Sequence, residues 1–249
     1  MSGPAPALRG IVPPLVTPFD AGGALDLAAF ESNLDAYASA DLAGYLVLGS
    51  NGEAASLGED EKLALIRAAR RRANGRLVLA GTGMESTAAT IALTAKAADA
   101  GADAALVLTP FYYKPQMTLD ALRRHFEAVA GASPIPVYLY SVPVYTGLAF
   151  PPALAAAMAP HPNVRGMKES SGDIGLMGRI VGSVPPSFEV ACGSAPVLYP
   201  ALCLGASAGI LAVACCAPDA PAAVYRAFLA GITRARGGCR PRSRRWPRR

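Results

Sequence analysis

One unit recurs eight times between Gly10 and Ile232: a short apolar run that ends in Gly, Ser, Thr or Lys, then a longer amphipathic run. A period of roughly 25 to 30 residues is that of strand–helix units. The apolar runs are Ile11–Val16, Tyr45–Leu48, Leu77–Ala80, Ala104–Leu108, Pro136–Tyr140, Val164–Met167, Phe188–Ala191 and Ala208–Val213. They are continuous rather than alternating, as parallel strands buried on both faces require. The helical runs lie near Asp26–Ser39, Glu59–Arg72, Ser86–Ala100, Leu119–Ala130, Pro151–Met158, Ile174–Gly182, Pro196–Leu204 and Pro221–Ala230. Eight such alternations predict an α/β chain closed into a (β/α)8 TIM barrel. A doubly wound open sheet is the weaker alternative, because no G-x-G-x-x-G follows the first strand. Pro13 and Pro14 blur the end of that strand.

The barrel domain is predicted over residues 8–232. Residues 233–249 form an Arg-rich tail. Of 23 Lys and Arg against 18 acids in the chain, eight arginines and no acid fall in that tail, so the body is mildly acidic. No aromatics alternate with the tail's bases, so a solvated, disordered tail is expected in place of a nucleic-acid site. Hydrophobic residues make up 52% of the chain and charged ones 16%, enough for a large core. Val190 to Pro218 carries no charge, but Pro196, Pro200, Gly205 and Gly209 divide it, so strand–helix–strand is expected there and no membrane span. Five cysteines without a C-x-x-C pair give neither a disulfide framework nor a zinc pattern. With no apolar leader in the first ten residues, a reducing, cytoplasmic setting is expected.

Chemistry in such a barrel belongs at the carboxyl ends of the strands. The chain has four lysines. Lys62 and Lys96 lie in helical runs and are expected on outer, solvated faces. Lys114 follows two tyrosines in a loop. Lys168 alone ends a strand. A lysine directed into a barrel mouth loses hydration, which lowers its pKa and frees a nucleophilic amine for Schiff-base chemistry. A rim lysine paired with Glu169 is the alternative. Tyr140 ends the preceding strand and offers a proton shuttle, or else packs in the core. Ser50 and Asn51 with nearby N–H groups suit a carboxylate, or else form a plain turn. His125 and His161 have no ligand partners in the pattern, and neither a metal nor a cofactor is expected.

At these residues the chain resembles the class I pyruvate aldolases, the dihydrodipicolinate synthase and N-acetylneuraminate lyase family. The likeness runs from about residue 8 to 231. Gly49-Ser50-Asn51-Gly52-Glu53 looks like that family's pyruvate-carboxylate loop, Tyr140-Ser141-Val142-Pro143 like its tyrosine motif, and Gly166-Met167-Lys168-Glu169-Ser170-Ser171-Gly172 like its lysine motif. Pro110-Phe111-Tyr112-Tyr113 looks like the segment whose tyrosine crosses a dimer interface in many members. The resemblance implies a lyase acting on 2-oxo acids. Lys168 would form the imine with pyruvate and Tyr140 would be the acid/base. Ser50 and Asn51 would hold the carboxylate. Ser50 would share a hydroxyl relay with Tyr112 of a neighbouring subunit. Gly193, Ser194 and Ile210 would line the pocket. It also implies a homo-oligomer, dimer or tetramer.

Within the family the wording is most similar to 4-hydroxy-2-oxoglutarate aldolases, which yield pyruvate and glyoxylate. The alternative is a dihydrodipicolinate synthase, condensing pyruvate with aspartate semialdehyde. Synthases typically carry arginine where this chain has Tyr145. A truncated, weakly active member is the third possibility, because relatives continue into a C-terminal helical segment where this chain has the Arg-rich tail. The outer faces of the last two barrel helices are therefore expected to be apolar.

Overall fold

A computed structural model describes residues 6–232. Eight parallel strands alternate with helices: β1 (Gly10–Val12), β2 (Gly44–Val47), β3 (Leu77–Gly81), β4 (Ala104–Leu108), β5 (Val137–Ser141), β6 (Val164–Glu169), β7 (Glu189–Cys192) and β8 (Ala208–Ile210). Each strand pairs with its sequence neighbour, and β8 returns to β1. Between β1 and β2 the ring is completed by backbone bonds, Ala43 N to Ile11 O at 2.8 Å, Leu46 N to Pro13 O at 3.0 Å and Leu15 N to Leu46 O at 2.8 Å. This is the predicted TIM barrel.

The helices are α1 (Leu27–Ala36), α2 (Glu59–Arg72), α3 (Thr87–Asp99), α4 (Leu119–Ala132), the four-residue α5 (Pro143–Thr146), α6 (Pro152–Met158), α7 (Ile174–Val181), α8 (Leu198–Leu204) and α9 (Asp219–Leu229). Their starts follow capping chemistry. Asp26, Ser86, Thr118 and Asp173 each accept a backbone N–H of the first turn. Two apolar clusters result. One, including Val12, Leu46, Leu79, Leu106, Tyr138 and Ile210, fills the barrel interior. The larger cluster joins the strands' outward residues to the helix layer.

The first strand is shorter than its apolar run. Pro13 and Pro14 lack the N–H a ladder needs, so the strand ends at Val12. The eighth run also splits, since Ala212–Cys215 winds into a 3-10 turn. Val190 to Pro218 forms strand, helix and strand as expected, and among the described residues no helix is long and apolar enough to cross a membrane. Lys62 departs from expectation. Only 8% exposed, it lies on the buried side of α2, its long methylene stem covering apolar surface. Lys96 does sit outside, paired with Glu59 at 2.5 Å.

Between α8, α9 and the turn after β8 lies an apolar groove of about 330 Å³, lined by Leu198, Tyr199, Leu211, Val213, Pro221 and Val224. Of the large apolar side chains on these helices, Leu204, Val224 and Leu229 are exposed, while α9 also exposes Asp219 and an Arg226 paired with Asp41. The Arg-rich stretch 233–249 lies outside the described residues.

Candidate active site

Side chains alternate along a strand, so Lys168 and Glu169 must face opposite sides of β6. Lys168 turns into the barrel and is 5% exposed, whereas the buried Glu169 carboxylate accepts the N–H of Ser171 at 2.8 Å. The two therefore do not pair, which removes the alternative of a rim lysine neutralised by its neighbour. Lys168 stands directly beside Tyr140 in the β5–β6 register. Its Nζ is 3.5 Å from the phenol oxygen and 4.5 Å from the ring centroid. Burial lowers the Lys168 pKa from 10.5 to about 7, with the neighbouring Cys192 and Cys215 pulling weakly the other way.

Tyr140 is itself buried, which raises its pKa, while the nearby hydroxyls of Ser50 and Ser170 pull it back down. The Ser50 and Tyr140 oxygens are 3.4 Å apart. Ser50 opens a 3-10 turn, Ser50–Gly52, directly after β2. Two left-handed non-glycine residues bracket it, Leu48 at φ 62° and Glu53 at φ 52°. Such backbone costs energy and persists where the surroundings impose it. Gly81 of the next strand permits it, since a Cβ there would come within 2.0 Å of the Leu48 carbonyl oxygen. Thr17 ties the turn down from the far side by donating to the Gly52 carbonyl at 2.7 Å.

Asn51 is placed differently from Ser50. Its side-chain amide donates to the Pro14 carbonyl at 3.2 Å and reaches the Cys215 sulfur at 4.0 Å, so the side chain is already engaged. Its backbone N–H lies at the start of the turn, where donors lack partners within the turn. Tyr112 stands apart from the cluster, 73% exposed, its ring edge-on to Tyr113. The backbone N–H groups of Phe111 and Tyr112 both donate to Glu85, at 3.0 and 2.8 Å. Ile210 is buried in the interior cluster, and Ser194 lies beside Gly172.

Ser170 was not among the residues expected at the site. Its oxygen is buried and completes no hydrogen bond of normal geometry. Gly193 makes room for it, for a Cβ at Gly193 would fall 1.9 Å from the Ser170 oxygen. The signal in the sequence was the Ser170-Ser171 pair directly after the lysine, but strand alternation alone does not say which serine turns inward. Among the described residues no cluster of His, Cys, Asp or Glu suited to a metal ion is present. His125 is buried, with Nδ1 2.8 Å from the Thr87 hydroxyl, and burial lowers its pKa to about 4.

A barrel with a buried lysine of lowered pKa against a tyrosine at its carboxyl-end mouth defines an aldolase-type lyase. The chain belongs to the dihydrodipicolinate synthetase family, whose model matches residues 7–236. It is 42% identical over 221 residues to a 4-hydroxy-tetrahydrodipicolinate synthase of Xanthomonas axonopodis pv. citri, covering 88% of this chain and 71% of that protein. Over 223 residues it is 37% identical to the enzyme of the same name from Exiguobacterium, covering 89% and 75%. Among solved structures it is similar to YagE, a prophage protein of the dihydrodipicolinic acid synthase family from Escherichia coli K12 in complex with pyruvate. There the TM-score is 0.85 at 33% identity, with 90% of this chain and 76% of that one covered.

Proposed function

We propose that this lyase joins pyruvate to an aldehyde through an imine on Lys168, and that the aldehyde is aspartate semialdehyde. The observation that carries the imine is the Lys168–Tyr140 pair. A pKa of about 7 leaves a large neutral fraction of amine near neutral pH. That amine attacks C2 of pyruvate, and Tyr140 passes the proton that lets water leave and the protonated imine form. Loss of a C3 proton then gives an enamine whose carbon attacks the aldehyde. Ser50 receives the phenol's proton in turn. The backbone N–H groups of Ser50 and Asn51 hold the pyruvate carboxylate, and Gly193, Ser194 and Ile210 shape the remaining wall.

The relatives' shared name favours the synthase reaction over cleavage of 4-hydroxy-2-oxoglutarate. One observation favours cleavage. Tyr145 is 65% exposed and carries no charge at the position where the resemblance places a synthase arginine. Trapping with pyruvate and borohydride, read by mass, tests the imine: an adduct on Lys168 is expected, and an adduct only on Lys62, Lys96 or Lys114 overturns it. Initial rates with the semialdehyde and with 4-hydroxy-2-oxoglutarate then decide the aldehyde.

We carry Tyr112 as a relay member supplied to a neighbouring subunit, which makes the working form a homo-oligomer, dimer or tetramer. Its exposure within its own chain supports that reading. The four cysteines among the described residues are free, in keeping with a reducing, cytoplasmic setting.

A further inference from the structure

The eight loops at the carboxyl ends of the strands are almost empty of cations. Residues 13–26, 48–58, 82–86, 142–151, 170–173, 193–197 and 211–218 contain no lysine or arginine. The remaining loop, 109–118, contains Lys114. The same loops carry Asp20, Asp26, Glu53, Glu85 and Asp173, so the rim is otherwise anionic. The carboxylate of an aldehyde approaching this mouth would be repelled unless one cation receives it.

Lys114 is placed for that role. It sits in the β4–α4 loop, yet its ammonium reaches across to the segment after β5. A Cβ built on Gly147 would lie 2.9 Å from Nζ and 3.2 Å from the adjoining methylene. Gly147 itself is left-handed, at φ +63°, and closes α5 at the mouth. The bare glycine gives the ammonium a seat that any side chain would block. Among the described residues Lys114 takes part in no ion pair, whereas Lys96 is paired, as are Arg71 and Arg72 of α2 and Arg123 and Arg124 of α4. An unpaired cation held over an anionic rim is available to a ligand.

We propose that Lys114 is the specificity-determining residue for the aldehyde: its ammonium receives the carboxylate of that substrate, while Lys168 receives the pyruvate. This rests on the imine reading above, and the two are separable. Lys114→Met and Lys114→Arg are compared with the parent protein in its native assembly. Two aldehydes are used with pyruvate, aspartate semialdehyde and one of similar length that keeps the amine but lacks the carboxylate.

With Lys114→Met the KM for the semialdehyde is expected to rise roughly 10- to 150-fold, the worth of one charge-assisted hydrogen bond. The KM for pyruvate and for the aldehyde without a carboxylate is expected to stay where it was, and Lys114→Arg to recover most of the loss. An unchanged KM for the semialdehyde, or an equal rise for both aldehydes, overturns the assignment. Failure of the parent protein to trap pyruvate on Lys168 defeats the imine reading instead.

Discussion

Lys168 Nζ lies 3.5 Å from the Tyr140 hydroxyl, between two residues directly opposite each other on adjacent parallel strands. Because the strands hold this pair by backbone bonds rather than by loops, the proposed nucleophile and its proton shuttle are aligned before substrate arrives. Removing either partner should therefore separate binding from chemistry. Lys168→Ala is expected to abolish the borohydride adduct. Tyr140→Phe should keep the fold, by circular dichroism, and lower kcat by roughly 10²- to 10⁴-fold, the usual worth of a positioned acid/base. A Tyr140→Phe variant with unaltered kcat would exclude the phenol from proton transfer.

The pH dependence follows from the same lysine. Between about pH 7 and 10.5 the unfolded chain holds a proton on Lys168 that the folded chain does not. The unfolded state binds more protons over that window, so this residue makes stability rise with pH there. Its burial penalty is fully present below pH 7. Lys168→Met should therefore be more stable than the parent near pH 6, with the difference shrinking toward pH 10.5. Chemical denaturation at several pH values checks this, and a constant difference contradicts it. Imine formation should in parallel climb with pH and level off above about 7.

Gly193 and Ser170 are matched in shape. A methyl at 193 would meet the Ser170 oxygen at 1.9 Å and the Glu169 carbonyl at 3.0 Å. Gly193→Ala is expected to cost about 1–3 kcal/mol of stability through overpacking. It should also lower kcat, since the displaced serine sits beside Tyr140. Adding Ser170→Gly should restore much of the lost stability. Melting curves of the single and double variants show whether the clash is the cause.

At the opposite end of the barrel, Glu189 is buried and accepts from the Tyr138 hydroxyl and from Leu8 N, the latter at 3.1 Å. Arg165 approaches its other oxygen at 3.3 Å. Glu189→Leu leaves two buried donors unpaired, for about 1–3 kcal/mol each. A lower Tm with unchanged KM for pyruvate is expected, because this network lies at the strands' amino ends, away from the catalytic mouth. A change in KM without loss of Tm would contradict that division.

The order of elements was legible along the chain because burial on both faces makes each strand a continuous apolar run, and because Asp26, Ser86 and Thr118 announce helix starts. Lys168 was legible too, as the one lysine that ends a strand. Its pairing with Tyr140 follows once β5 and β6 are parallel and in register. Other features depend on the third dimension. Lys62 reads as a solvated charge among charges, yet α2 turns it inward, since a helix can cover the methylenes of a lysine while its amine reaches water. Asn51 reads as a carboxylate ligand, but whether its amide meets substrate or the Pro14 carbonyl depends on how β1 and β8 close the ring. The inward turn of Ser170 requires the bare glycine on β7's end, and the reach of Lys114 to Gly147 joins two loops separated by a whole strand–helix unit. Local patterning thus set the barrel and marked its strand-end lysine. The neighbours of each polar side chain were decided by closure of the ring, which brings together residues that no spacing along the chain relates.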